Sequence, residues 1–143
     1  MEPTVPEGEV IAPYGTPVLD GEIDEIWDTA TEYKMTKPNL RDDASATVKV
    51  LWDENKLYML AQVQDAVLDK TAGNNYERDS IEAFIDELYN RGTSYGSDDA
   101  HYRVDYTNAK STDSGTASRW NTAAKIVDGG YVVEASIDFS AIT

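Results

Sequence analysis

The sequence has no cysteine, one histidine and only 12 lysines and arginines in 143 residues. Each shortage removes a class of function. Without cysteine there is no disulfide, no thiol nucleophile and no thiolate metal site, while the compartment stays open because many secreted bacterial domains also lack cysteine. Against the 12 cations stand 27 aspartates and glutamates, a formal charge of -15, which disfavours nucleic acid and anionic membrane surfaces as partners. Neutral and cationic partners remain. No apolar run is long enough to span a bilayer, and no basic-then-apolar segment opens the chain. The length suits one domain with its own core.

Residues 1–9 are Pro-rich, acidic and aperiodic, and read as a linker or flexible arm ahead of a domain over 10–143. Val10-Ile11-Ala12 reads as a short first strand. Asp20-Gly21 signals a turn, and Asp24 is placed to cap a short helix whose Trp27 turns inward as a core anchor. Residues Thr47 to Gln64 form the clearest local pattern. Ala46 to Trp52 alternates, Asp53-Glu54-Asn55 turns, and Leu57, Met59, Ala61 and Val63 then share one face with Tyr58, Leu60, Gln62 and Gln64 on the other. This predicts an antiparallel hairpin covered at least partly on both sides.

Ala66 to Asn75 and Leu88 to Asp99 are loop-like, and Asn108 to Ser118 reads as a flexible turn. Between them, Tyr102, Val104 and Tyr106 alternate with Arg103 and Asp105. Arg119 to Val127 and Tyr131 to Phe139 form a second hairpin around Asp128-Gly129-Gly130, with Tyr131, Val133, Ala135, Ile137 and Phe139 inward and Val132, Glu134, Ser136 and Asp138 outward. Seven or so short strands, polar turns and no βαβ rhythm predict an all-β antiparallel sandwich or jelly roll.

The stretch Asn75 to Asp86 carries the chemistry. From Ser80 onward, Ile81, Ala83 and Ile85 point to one side, and Ser80, Glu82, Phe84 and Asp86 to the other, so one face mixes carboxylates with an aromatic ring. Tyr76 adds an apolar plate beside an acceptor, a pairing suited to a sugar ring. Other classes of function have thinner support. A glycosidase would recruit two carboxylates such as Glu82 and Asp105, but acids are too numerous for any pair to stand out. A haem-binding electron-transfer domain would need His101 with Met35 or Met59. A spacer domain without sugar binding needs none of these residues.

Thr16 to Trp27, Val50-Leu51-Trp52-Asp53 with Leu57-Tyr58, Glu77 to Asp86, Tyr102-Arg103-Val104 and Gly130 to Ala135 occur in an order that resembles carbohydrate-binding module family 9. The resemblance runs from about Val10 to the last residue. It implies a non-catalytic β-sandwich joined covalently to a secreted plant-wall-degrading enzyme such as a xylanase. The implied ligands are cellulose, xylan or their oligosaccharides, with reducing ends preferred in the best-known cases. Carried across residue by residue, Tyr76 takes the place of a stacking aromatic that is usually Trp, Glu82 that of the carboxylate accepting sugar hydroxyls, and Arg103 that of the arginine donating to them. The resemblance also implies structural calcium, for which Asp65 and Asp79, then Asp24, are the expected ligands. The family pattern continues past Phe139 into strands bearing a second aromatic wall, so the module is expected to be C-terminally shortened, with an incomplete clamp and weaker binding.

Overall fold

A computed structural model describes residues 6–36, 44–74 and 78–139. Among these, eight strands form two antiparallel sheets, as the alternating pattern predicts. The strands are β1 (Tyr33–Met35), β2 (Ser45–Trp52), β3 (Lys56–Gln64), β4 (Ser80–Asp86), β5 (Asp99–Asp105), β6 (Lys110–Ser114), β7 (Trp120–Val127) and β8 (Gly130–Asp138). Five lie in the order β1-β2-β3-β8-β7 and three in the order β4-β5-β6.

Local chemistry accounts for both hairpins. At the β2–β3 turn, the Asp53 carboxylate accepts from the backbone N–H of Asn55 (2.8 Å) and Lys56 (2.9 Å), and from the hydroxyls of Thr16 (2.8 Å) and Tyr58 (2.6 Å). Burial alone would raise this carboxyl, but the four donors outweigh it and hold it at about 2. At the β7–β8 turn Gly129 takes φ 79°, and at Gly130 an added Cβ would lie 1.8 Å from the carbonyl oxygen of Val63. Gly130→Ala must therefore push β8 away from β3. We expect a loss of about 1–3 kcal/mol in urea unfolding, with the Gly129→Ala variant costing only the backbone strain of its positive φ, since nothing lies within 4 Å of that position.

The main core lies between the sheets, where Ala61, Val133, Ala135 and Ile137 meet Ala83, Tyr102 and Val104, with Trp120 and Tyr131 among them. A second cluster covers the other face of the five-stranded sheet. There Trp27, fully buried on a 3₁₀ turn over Glu25–Thr29, packs with Leu51, Tyr58, Leu60 and Val132. The two-sided hairpin and the inward Trp27 thus match the sequence pattern, and Asp24 occupies the N-cap position, although its carboxylate accepts from Val18 N–H (2.6 Å) and not from the turn.

Three readings of the strands are corrected. Val10 to Ala12 form no strand, because Pro13 offers no N–H to extend a ladder. Only Tyr14 bridges to Trp52, in parallel. Residues Lys110–Ser114, read as part of a turn, form β6, a polar edge strand that pairing with β5 creates. Val132, Glu134 and Ser136 do not face water but are buried, Val132 and Glu134 against the N-terminal segment, whereas Phe139 is exposed. Of the expected arm over 1–9, residues 6–9 are exposed, and the rest lie outside the described residues.

Candidate functional site

Strands β4 and β5 pair so that Glu82 stands opposite Arg103 and Phe84 opposite His101. Side chains alternate along each strand, so these four share the outer face while Ala83 and Tyr102 enter the core. The floor beneath them is anchored. Tyr102 stacks on Trp120 with ring centroids 5.3 Å apart, and the Trp120 indole N–H donates to the Arg103 carbonyl at 3.1 Å.

Arg103, only 3% exposed, is the hub. Its Nε donates to Glu82 Oε1 (2.6 Å), one terminal nitrogen to Ser111 Oγ (3.0 Å) and the other to Asp113 Oδ2 (2.8 Å). His101 lies between the same two acids, with Nε2 3.2 Å from Glu82 and Nδ1 3.2 Å from Asp113. Its ring is stacked on Phe84 at 4.0 Å between centroids, and Phe84 is 62% exposed. Burial would raise the Glu82 carboxyl, but hydrogen bonds from Arg103 and His101, with their charges, hold it below the usual range. The Arg103 hydrogen bond above all lowers Asp113. For Arg103 itself, burial works against the charge, and the hydrogen bonds it donates to Asp113 and Glu82 more than restore it.

The result is a guanidinium fixed between carboxylates beside an open aromatic face. Such an array gives directional, charge-assisted hydrogen bonds to neutral hydroxyl groups. It does not suit glycoside hydrolysis, which requires a carboxyl kept protonated. Glu82 is held ionised, and buried Asp105 is likewise lowered: burial opposes the shift, but hydrogen bonds from Thr107 and Ala109 overcome it. Nor, among the described residues, does the structure bring a methionine to His101. Met59 packs on the main core from β3, and Met35 is exposed on β1, both in the other sheet.

Of the three expected sugar contacts, Glu82 and Arg103 are brought together, and Tyr76 lies outside the described residues. His101, Ser111 and Asp113 completed the cluster without having been marked by the sequence pattern. Ser111 and Asp113 belong to β6, whose composition resembles a turn and whose strand character comes from β5. The expected calcium ligands fall in two places. Asp65 and Asp79 flank one loop, which closes through Asp79 N–H to the Asp69 carbonyl (2.9 Å) and Asp69 N–H to the Asp79 carboxylate (2.6 Å). Burial first, then the charges of Asp79, Asp65 and Asp105, raise the Tyr131 phenol between the sheets, whereas Asp24 acts on Glu134 on the far side of the five-stranded sheet. Among the described residues, Asp86, Asp98 and Asp99 form a group of three acids with one oxygen from each all within 4.8 Å of one another.

Comparison with known proteins bears on this arrangement. The family described as "Carbohydrate family 9 binding domain-like" matches residues 19–143. The chain is similar to a segment of endo-1,4-beta-xylanase A of Thermotoga neapolitana, 47% identical over 142 residues, which is 95% of this chain and 14% of that protein. It is also similar to a segment of exoglucanase XynX of Acetivibrio thermocellus, 42% identical over 132 residues, 91% of this chain and 12% of that protein. The chain therefore spans about one seventh, or less, of these curated relatives. A carbohydrate binding module family 9 from Caldicellulosiruptor kristjanssonii in complex with cellotriose superposes with a TM-score of 0.88 at 43% identity, covering 92% of this chain and 67% of that one. A second structure of such a module from the same organism, in complex with glucose, gives 0.83 at 42% identity, covering 90% and 68%. With the sandwich, the Glu82–Arg103 pair and a family match over most of its length, the chain belongs to the carbohydrate family 9 binding domain-like family.

Proposed function

We propose that this module binds neutral sugar units of plant-wall polysaccharide through the outer face of β4-β5-β6 and has no catalysis of its own. One observation carries the reading: exposed Glu82 is paired across β4 and β5 with the buried guanidinium of Arg103, and Phe84 is exposed beside them. Glu82 accepts from sugar hydroxyls, Arg103 donates to them with the N–H groups that Glu82, Ser111 and Asp113 leave over, and Tyr76 stacks on the C–H face of the ring. The glucose and cellotriose held by the Caldicellulosiruptor modules make β-linked glucose units the first ligands to try. The xylanase and exoglucanase relatives support a role as an accessory module of a secreted enzyme, holding a catalytic domain on its polymer. Calorimetric titration with glucose should give saturable binding, and Tyr76→Ala should abolish it with the melting temperature nearly unchanged. Absence of binding by the intact fold would overturn the reading.

A structural calcium ion belongs to the same proposal. Calcium takes six to eight hard oxygen ligands, and the chain offers two settings for it. Asp65 and Asp79 flank the loop before β4. The Asp86, Asp98 and Asp99 oxygens converge where β4 meets β5, with none of the three in an ion pair among the described residues. The ion would offset carboxylate repulsion and hold the loops at the two ends of β4. Calcium at one hundred times its dissociation constant should add about 2.7 kcal/mol to unfolding. Chelator should remove that increment, and identical unfolding with and without chelator would rule the ion out.

A further inference from the structure

The two sheets are unequal, and the smaller is not centred on the larger. Tyr102 of β5 stacks on Trp120 of β7, Lys110 at the start of β6 donates to the Trp120 carbonyl (2.9 Å), and Ala83 of β4 shares the main core with Ala61 of β3. The three strands therefore lie over β7, β8 and β3, and β1 and β2 project past β4 as a ledge. Alternation puts Val48, Val50 and Trp52 of β2, with Tyr33 and Met35 of β1, on the inner face of that ledge. Val48 touches the main core, whereas Val50, Trp52 and Met35 belong to neither core cluster. Trp52 is 42% and Met35 59% exposed, an apolar strip of the kind that marks an interaction surface.

Two strand edges open onto the same place. Among the described residues, β4 pairs only with β5 and β1 only with β2, so each keeps one edge of unpaired backbone groups. Their directions also match. β1 and β3 both run antiparallel to β2 and hence parallel to each other. Asp65, directly after β3, and Asp79, directly before β4, both act on the Tyr131 phenol, so β4 starts where β3 ends and runs back against it. β4 is thus antiparallel to β1.

We propose that the occupant of the ledge is a second copy of this chain, in a closed twofold dimer. A twofold axis along the strands, between the layers, sets the two ledges face to face. β1 of each copy then falls beside β4 of the other in the antiparallel sense, and each layer becomes one continuous sheet of eight strands. The open edges of β1 and β4 disappear, and the two apolar strips cover each other. Charge agrees with this docking. The outer face of β4 carries Glu82 and Asp86, and that of β1 carries Lys34, which makes no ion pair among the described residues. The pairing brings this lysine against those carboxylates. The ledge is roughly 27 Å long and two strands wide, small for an interface, so the association should be micromolar and not nanomolar. The proposal does not depend on the sugar-binding reading.

The test is sedimentation equilibrium at about 0.15 M salt, which screens the net charge of each copy, over roughly 5 to 500 µM protein. Wild type should approach twice the 15.8 kDa of one chain as concentration rises. Val50→Glu and Met35→Lys should each raise the dissociation constant about tenfold or more, because they set a charge in the apolar contact. Met35 is exposed within one copy, so its variant decides the matter if Val50→Glu fails to fold. Ile126→Lys, an exposed position on β7 at the far side of the same sheet, should leave the dimer unchanged. A monomer at every concentration, a dimer that survives Met35→Lys, or dissociation by Ile126→Lys would each overturn the proposal. Growth beyond the dimer would also overturn it, since a closed pair leaves no edge of β1 or β4 to extend.

Discussion

Glu134→Ala should destabilise the domain by about 3 kcal/mol or more, because it strands several buried donors at once. Glu134 is fully buried on the outer face of β8. One carboxylate oxygen accepts from the N–H groups of Gly21 (2.9 Å) and Asp20 (3.3 Å), and the other from the Trp27 indole N–H (3.1 Å). This single side chain therefore fastens the N-terminal segment and its core tryptophan to the sheet. Glu134→Gln keeps the shape and one acceptor oxygen, so its loss in urea unfolding should be smaller. Equal stability of wild type and Glu134→Ala would mean that the N-terminal segment contributes nothing to the fold.

The same residue gives a pH signature of defined sign. Burial raises the Glu134 carboxyl, the three N–H donors pull it back, and the net shift is upward. The folded state then holds the proton more tightly than the unfolded state. Stability from this group is complete below the ordinary carboxylate range and declines as pH rises through the elevated value. Glu134→Gln should remove that decline, so the variant gains on wild type as pH rises above the ordinary carboxylate range. A pH-independent difference between the two would show that Glu134 titrates normally.

Arg103→Met should reduce sugar affinity by about tenfold to a hundredfold, the worth of a hydrogen bond to a charged group. The loss has two sources. Donors to the sugar disappear, and Glu82 and Asp113 lose the cation that orients them and keeps them ionised. Their carboxyl titrations, followed by NMR, should therefore move upward in the variant. Arg103→Lys should recover little, because a lysine ammonium lacks the planar fork that reaches Glu82, Ser111 and Asp113 together. Lower stability with unchanged sugar affinity would make Arg103 a structural cross-strand partner only.

Much of this site was legible in the sequence. Alternation over Ser80–Asp86 placed Glu82 and Phe84 on one face, and alternation over Tyr102–Tyr106 placed Arg103 opposite the core, because a strand's period of two is a local property. The order of short motifs then pointed to the family. His101, Ser111 and Asp113 were not legible as partners of Arg103. Lys110-Ser111-Thr112-Asp113-Ser114 has no apolar residue to mark a strand, and only the backbone groups of β5 turn it into one.

Local chemistry by itself determined the two hairpins, through Asp53 and the Gly129-Gly130 pair, together with the inward turn of Trp27 and the division of β3 into two apolar faces. Tertiary structure alone decided that the second face of β8 is also buried. Val132, Glu134 and Ser136 read as solvent-facing because they alternate with Val133 and Ala135, and the cover of Glu134 comes from Gly21 and Trp27, more than a hundred positions away. The pairing of β4 with β5 and β6 likewise decided which charges meet. Periodicity reports how one segment divides its own faces, but what lies against each face depends on contacts between segments that no local pattern encodes.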